Sequence, residues 1–165
     1  IDPACSIVFE VESEEADVMR RPPRAPNQRL LSRSIVIWGL LQGLLALLIV
    51  GGIYLWDVNS GASEADIREL SFATLVLVNL GLVLVNRSYR VDWLHPFKHR
   101  NAAFLLIAGG AVAVLALAIT VKPVEALFGF GTFHFHDLAI VAVATVLMIA
   151  VLEALKGLLR RKLTT

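Results

Sequence analysis

Cysteine is nearly absent from this sequence of 165 residues, in which Cys5 is the only one. A single cysteine excludes an internal disulfide, a zinc site built from cysteines and a cysteine-ligated iron–sulfur cluster. Charged residues are also scarce: they make up 18% of the chain, against about 25% in soluble domains. The net charge is only +1, so the sequence lacks the broad basic surface of nucleic-acid-binding proteins. We therefore expect neither a soluble globular domain nor a nucleic-acid partner.

Several motifs that carry chemistry are missing as well. The sequence contains no Walker-type glycine-rich loop, no H-E-x-x-H and no G-x-S-x-G, so we predict no catalytic residue and no bound cofactor in this chain. The opening residues lack the basic start and small-residue cleavage site of a signal peptide. Because the chain also begins with Ile1, we expect it to be an excerpt of a longer protein.

Apolar residues make up 57% of the chain and are concentrated in four long runs. Each run is long enough to cross a bilayer as a helix, which takes about 20 residues. Only helices and closed barrels satisfy their backbone hydrogen bonds in lipid, and the alternating pattern of a barrel strand is missing. The sequence therefore predicts an all-α membrane protein. The predicted spans are residues 35–56, 70–85, 102–121 and 138–155.

The positions of Lys and Arg predict how the spans are oriented. Before, between and after the four spans, the counts of these residues are 5, 1, 4, 1 and 4, which together are the 15 basic residues of the chain. Cytoplasmic segments carry the excess of Lys and Arg. The pattern therefore predicts that both termini are cytoplasmic and that residues 57–69 and 122–137 lie outside.

Small residues within the spans predict where helices pack closely. Helices in lipid associate where small side chains let their backbones approach, as in the pair Gly39 and Gly43. Membrane helices are also rich in glycine and alanine for general reasons, so no single pair is decisive. Further candidate pairs are Gly51 with Gly52, Gly109 with Gly110, and Ala150 with Ala154.

Residues 1–10 resemble the end of a preceding span. They are apolar around Asp2 and Pro3, and a cluster of acidic residues follows them. An ionisable side chain inside a span is costly and is usually kept for ion or proton handling, and Pro3 would free a backbone carbonyl that can coordinate a cation. The alternative is that Asp2 is only the first residue of a helix after a truncated loop.

Four short motifs carry a resemblance to a known family. Downstream of Asp2 comes DVMRRPPRAP at residues 17–26, with NRSYR at 86–90, a Val-x-Pro at 121–123 and LEALK at 152–156. With this spacing, the chain resembles the C-terminal membrane region of P-type cation-transporting ATPases of the calcium-pump type. The resemblance extends over essentially all 165 residues.

The resemblance implies a division of the chain into three parts. Residues 1–10 would end the sixth membrane helix of the family, residues 11–33 would form a cytoplasmic linker with the RPPR element, and residues 34–165 would form helices seven to ten. The full-length pump would hydrolyse Mg-ATP through an aspartyl-phosphate in a D-K-T-G motif, which this chain lacks. The implied partners are the lipid bilayer, the remaining helices and cytoplasmic domains of the pump, and the transported cation. The implied location is the plasma membrane.

Two residues are candidates for the cation site. Asp2 matches the sixth-helix aspartate that ligates the cation in the family, and carboxylate oxygens suit hard cations. Its neighbours Ile1 and Pro3 depart from the calcium-pump pattern, which leaves selectivity for calcium open. Asn79 lies where calcium pumps carry an acidic residue, and it shares a stripe of roughly 80° on one helix with Ser71 and Asn86. Asn79 could line the ion path or make an interhelical hydrogen bond.

Other polar residues have simpler explanations. Glu153 and Lys156 are spaced for an i,i+3 ion pair in which the side chains extend to the interface. The alternative is that Glu153 takes part in an ion route. Gln42 is expected to make a hydrogen bond between packed helices.

The four histidines are expected on the surface, as His134 with His136 and His95 with His99. A zinc site needs at least three protein ligands, and each pair supplies two.

Two other classes of protein remain as alternatives. A non-catalytic four-helix membrane scaffold or anchoring subunit would have the same spans, but it would give the RPPR linkage no purpose. A fragment of a secondary transporter would need paired inverted repeats, and no convincing repeat is present.

Overall fold

The computed structural model describes residues 2–10, 33–87, 102–131 and 134–163, with side chains described in residues 6–10, 33–87, 102–131 and 134–157. Within these ranges every regular element is an α-helix, which confirms the predicted fold class. The helices are α1 (Asp2–Glu10), α2 (Arg33–Ser60), α3 (Glu64–Asn86), α4 (Ala102–Thr120), α5 (Lys122–Phe128) and α6 (Phe135–Leu163).

Four of these helices, α2, α3, α4 and α6, are long and apolar enough to cross a membrane. They contain the predicted spans, apart from one residue at the end of the third. Helices α2 and α3 continue beyond the predicted spans at both ends, because polar residues at the interface can extend a helix that hydropathy alone would end. The side of α2 that carries Leu40, Leu44 and Leu47 is exposed, as expected for a surface that faces lipid or other membrane helices.

The short helix α5 was not predicted from the sequence. It follows an extended residue, Val121, and has Pro123 in its first turn, where a missing N–H costs no hydrogen bond. It ends at Gly129, which has a φ of 63°, a conformation that glycine adopts without strain. The N–H of Phe130 donates to the Glu125 carbonyl over 3.0 Å and closes this end of the helix. The connection between α4 and α6 is therefore partly helical.

Helix α3 is the centre of the bundle. It packs against α2, α4 and α6, and half of its membrane span is buried, against 11%, 17% and 22% for the spans of α2, α4 and α6. One apolar cluster joins α3 to α2 and α6, and a second joins it to α4. The buried residues of the first are Trp38, Val78, Val85, Met148 and Leu152, and those of the second include Ala73, Val76, Leu115 and Ala118.

The close approach between helices occurs at a glycine that the sequence analysis did not select. A Cβ atom added at Gly81 of α3 would lie 2.9 Å from Cε of Met148 and 3.2 Å from Cγ2 of Thr145, both on α6. At Gly39 and Gly43 no described atom lies within 4 Å of such a Cβ. The prediction that this pair packs helices together is therefore wrong for contacts within the described residues, because its side of α2 points away from the bundle.

We expect Gly81→Leu to lower the free energy of unfolding by about 1–3 kcal/mol, because the larger side chain forces α3 and α6 apart. Gly39→Leu is the matched control and should change it by less than about 0.5 kcal/mol. Both values can be measured by unfolding this chain in detergent micelles. Equal stability of the two variants would contradict the packing described for Gly81.

Candidate functional site

The first predicted site residue, Asp2, begins helix α1, and its side chain lies outside the described residues. The position of the helix itself is set by its other end. Val8 is fully buried in a cluster with Val83 of α3, and Phe104 and Ile107 of α4 pack against this cluster. Helix α1 therefore docks where α3 and α4 meet.

The second predicted site residue, Asn79, is half-buried on α3. Its Nδ2 donates to the carbonyl of Leu75 over 2.9 Å, which is a bond within its own helix and not the interhelical bond considered above. Hard cations take oxygen ligands, so Oδ1 is the atom through which Asn79 would contact a cation. Val83 follows four residues later and therefore lies on the same face of α3 as Asn79, the face that α1 contacts.

The other two members of the polar stripe, Ser71 and Asn86, differ in their hydrogen bonding. Asn86 and Gln42 of α2 make two reciprocal hydrogen bonds, with N···O distances of 3.0 and 3.1 Å. This confirms the prediction that Gln42 bonds between packed helices. The Oγ atom of Ser71 is buried and makes no hydrogen bond within the described part of the chain.

Lys156 and Glu153 form the predicted ion pair, with 3.0 Å between Nζ and Oε1. The expectation that the lysine extends into the interface is wrong, because Lys156 is fully buried. Its Nζ donates to the carbonyl of Val85 in the last turn of α3 over 2.6 Å. A carbonyl at the end of a helix lacks a partner within the helix, and the ammonium group of Lys156 supplies one from α6.

His134 and His136 are exposed, as predicted, and both lie near Asp137. Their Nδ1 atoms are 3.7 and 3.4 Å from its carboxylate oxygens. The other pair, His95 and His99, lies outside the described residues. No group of three or more His, Cys, Asp or Glu residues in the described ranges is arranged to hold a metal ion.

Sequence reasoning missed a group of acidic residues at the other end of the bundle. The end of α2 and the starts of α3 and α6 enclose an open cavity of about 350 Å³, called the acidic cleft below. A small recess of about 20 Å³ lies beside the acidic cleft. It is lined by Glu69 and shares four lining residues with the cleft. The sequence did contain an indication of this acidic group, because segments 57–69 and 122–137 together hold six acidic and only two basic residues. The lining residues of the cleft are Trp56, Asp57, Ser60, Ala62, Asp66, Leu70, His134, His136 and Asp137.

The loop after α5 is held against the start of α3, next to the acidic cleft. Arg68 donates from Nη1 to the carbonyl of Gly129 over 3.0 Å, and the Glu69 carboxylate accepts a hydrogen bond from the backbone N–H of Gly131. A Cβ at Gly131 would collide with the Asp66 side chain, so this close approach requires glycine. Ser63 caps the same helix end by accepting from the N–H of Asp66 over 3.2 Å.

The architecture is that of a multi-span α-helical membrane domain with polar groups at both ends of a central helix. The family described as "Cation transporting ATPase, C-terminus" matches residues 1–158. The chain belongs to this family.

Two groups of curated relatives match parts of the chain. The "Probable cation-transporting ATPase F" of Mycobacterium tuberculosis and that of Mycobacterium bovis are 30% identical over 122 residues, which cover 73% of this chain and 13% of each relative. The "Calcium-transporting ATPase 1" of Schizosaccharomyces pombe is 24% identical over 152 residues, or 92% of this chain and 17% of the relative. The chain thus spans a small part of the length of these relatives.

We expect Lys156→Met to lower the free energy of unfolding by about 3 kcal/mol, because it leaves Glu153 partly buried without a counter-charge. The double variant Lys156→Met/Glu153→Gln should recover at least about 1 kcal/mol of this loss, since both charges are then gone. Chemical unfolding of the single and double variants in detergent measures the coupling. Strictly additive effects would show that the two side chains do not interact.

Proposed function

We propose that this chain is the C-terminal membrane domain of an ATP-driven cation pump, in which it supports the transport helices and contributes to the cation site. The family match, which extends from α1 through all four spans, carries this proposal. ATP hydrolysis belongs to the cytoplasmic domains of the full-length protein, where Mg-ATP would bind. The names of the relatives, which are cation-transporting and calcium-transporting ATPases, support this assignment.

The proposed topology has both termini in the cytoplasm of a cell with the pump in its plasma membrane. The alternating counts of Lys and Arg support it. The bonds between Gln42 and Asn86 agree, because they join the start of α2 to the end of α3, as expected of antiparallel neighbours. The acidic cleft then lies on the outer side.

The proposed cation site includes Asp2 and Asn79. The packing of α1 supports the proposal that these two residues lie at a similar depth in the membrane. At 1.5 Å per residue, Asp2 lies about 9 Å along α1 from Val8, and Asn79 lies about 6 Å along α3 from Val83. In the proposed topology both helices run towards the cytoplasm, so both distances are measured in the same direction from one contact. The two residues would then differ in depth by only about 3 Å.

We propose that the pump is of the calcium-pump type, although Asn79 brings no charge to its site. An amide oxygen ligates hard cations, but affinity depends strongly on the number of charged ligands. A site with Asp2 and a neutral Asn79 would therefore hold less negative charge than one with an acid at both positions.

We expect Asp2→Asn in the full-length protein to abolish cation-stimulated phosphorylation by ATP, because the site loses its carboxylate. Glu10→Gln is the matched control, since Glu10 is exposed at the other end of α1 and should not affect the reaction. The measurement is incorporation of labelled phosphate at increasing cation concentration. Wild-type phosphorylation of the Asp2 variant would remove Asp2 from the site.

We expect Asn79→Leu to weaken the apparent cation affinity about tenfold, or about 1.4 kcal/mol, because the side chain loses its oxygen ligand. Ser71→Ala, a change two turns away on the same predicted stripe, should leave the affinity unchanged. The same phosphorylation titration compares them. A common shift in both variants would indicate a general loss of packing and not a lost ligand.

A further inference from the structure

We infer that the short helix α5 is an interfacial anchor, which inserts one face into the membrane at the boundary between lipid headgroups and acyl chains. In the proposed topology this boundary belongs to the outer leaflet. The insertion itself is argued from the packing and exposure of the described residues, so it does not depend on the proposed function.

The depth of α5 follows from the residues that it contacts. Val124 packs against the apolar cluster that contains Ala73 and Val76, and both of these lie inside the predicted span at 70–85. The ring of Phe128 has its centroid 6.0 Å from that of Phe72, which lies in the first turn of the same span. Because these partners belong to the membrane-crossing segment, α5 lies beside the end of the span and not beyond it in water.

The structure holds α5 at this depth from both of its ends. At its beginning, only Val121 separates it from the end of α4. At its end, the rings of Phe128 and Phe130 stack with 5.3 Å between their centroids, and Phe130 is buried in the same apolar cluster. Between these two rings in the chain, the Gly129 carbonyl accepts a hydrogen bond from Arg68. The helix therefore cannot move away from the membrane without breaking these contacts.

The face of α5 that turns away from the bundle is mainly apolar. Leu127 is 82% exposed and Phe128 is 44% exposed, and Pro123 lies one turn before Leu127 on the same face. Burying a leucine or phenylalanine side chain stabilises it by about 1.5–3 kcal/mol relative to leaving it in water. The exposed Lys122 begins the helix, where its long side chain can reach the headgroups. This division of apolar and charged groups is typical of a helix that lies in the membrane interface.

The exposed face of α5 has a counterpart on α6. Phe135 is 82% exposed and begins a row of exposed apolar residues at intervals of one turn, which continues through Ala139, Val143 and Leu147. Because this row runs along a helix that crosses the membrane, Phe135 marks the edge of its apolar surface. Aromatic side chains are enriched at this edge in membrane proteins.

The residue types on this face favour lipid over another helix of the protein as the occupant. Helices associate in lipid mainly through small side chains that let their backbones approach closely. The exposed face of α5 instead carries the large side chains of Leu127 and Phe128. Large apolar and aromatic side chains are those that interfacial helices insert among the acyl chains.

Spin labels on introduced cysteines test the depth of this face. Leu127→Cys carries a nitroxide in the full-length protein, whose other cysteines are replaced by serine, in nanodiscs of phosphatidylcholine and phosphatidylglycerol. Relaxation of the label by O₂, which concentrates in lipid, is compared with relaxation by nickel-EDDA, which stays in water. We expect O₂ to dominate and the label to lie about 5–10 Å into the headgroup and acyl boundary. Glu64→Cys is the matched control in water, because Glu64 is exposed at the start of α3, and nickel-EDDA should dominate there.

Two results at position 127 would overturn the proposal. Dominant relaxation by nickel-EDDA would place α5 in water, and weak relaxation by both reagents would show that another part of the protein covers this face. If Leu127→Cys does not fold, Phe135→Cys reports on the same edge of the membrane and is read by the same criteria. Asp2→Asn should leave the measured depth unchanged, so that failure of the pump proposal and failure of this one give different results.

Discussion

The bond from the Lys156 ammonium to the Val85 carbonyl illustrates the constraint on which the whole bundle depends. In a bilayer every backbone group must find a partner within the protein, and a helix leaves groups unpaired only at its ends. Helix α3 packs against three other helices. Groups outside the helix form hydrogen bonds with backbone groups at both of its ends. Lys156 donates to the Val85 carbonyl at the end of α3, and Ser63 caps its beginning by accepting from the N–H of Asp66.

Between these two ends, α3 is held mainly by apolar contact. The absence of a side chain at Gly81 lets it approach α6 closely, and two clusters fix it against α2, α4 and α6. The pair Gln42 and Asn86 satisfies its amide groups mutually, so its burial carries little cost. This gives α3 a defined position from which it contacts α1 through Val83.

The two polar regions of the structure differ in how their charge is compensated. At one end, the single positive charge of Lys156 has both a carboxylate and a carbonyl as partners. At the other, Asp57, Asp66 and Asp137 line the acidic cleft together with His134 and His136, and Arg68 beside it bonds to the Gly129 carbonyl. The first arrangement stabilises packing. The second brings Asp57, Asp66 and Asp137 to one open cleft.

The sequence alone determined the helical class, the four spans and the family, because hydropathy and backbone hydrogen bonding in lipid act over a single segment. It also predicted the Glu153–Lys156 pair, whose members lie one turn apart. Only the tertiary structure decided the partners that are distant in the chain: Val85 for Lys156, Asn86 for Gln42, α6 for Gly81 and the union of three helix ends in the acidic cleft. The pair Gly39 and Gly43 did not mark a contact among the described residues, because a small residue permits close approach without specifying a partner, and the partner depends on which face of the helix turns inward.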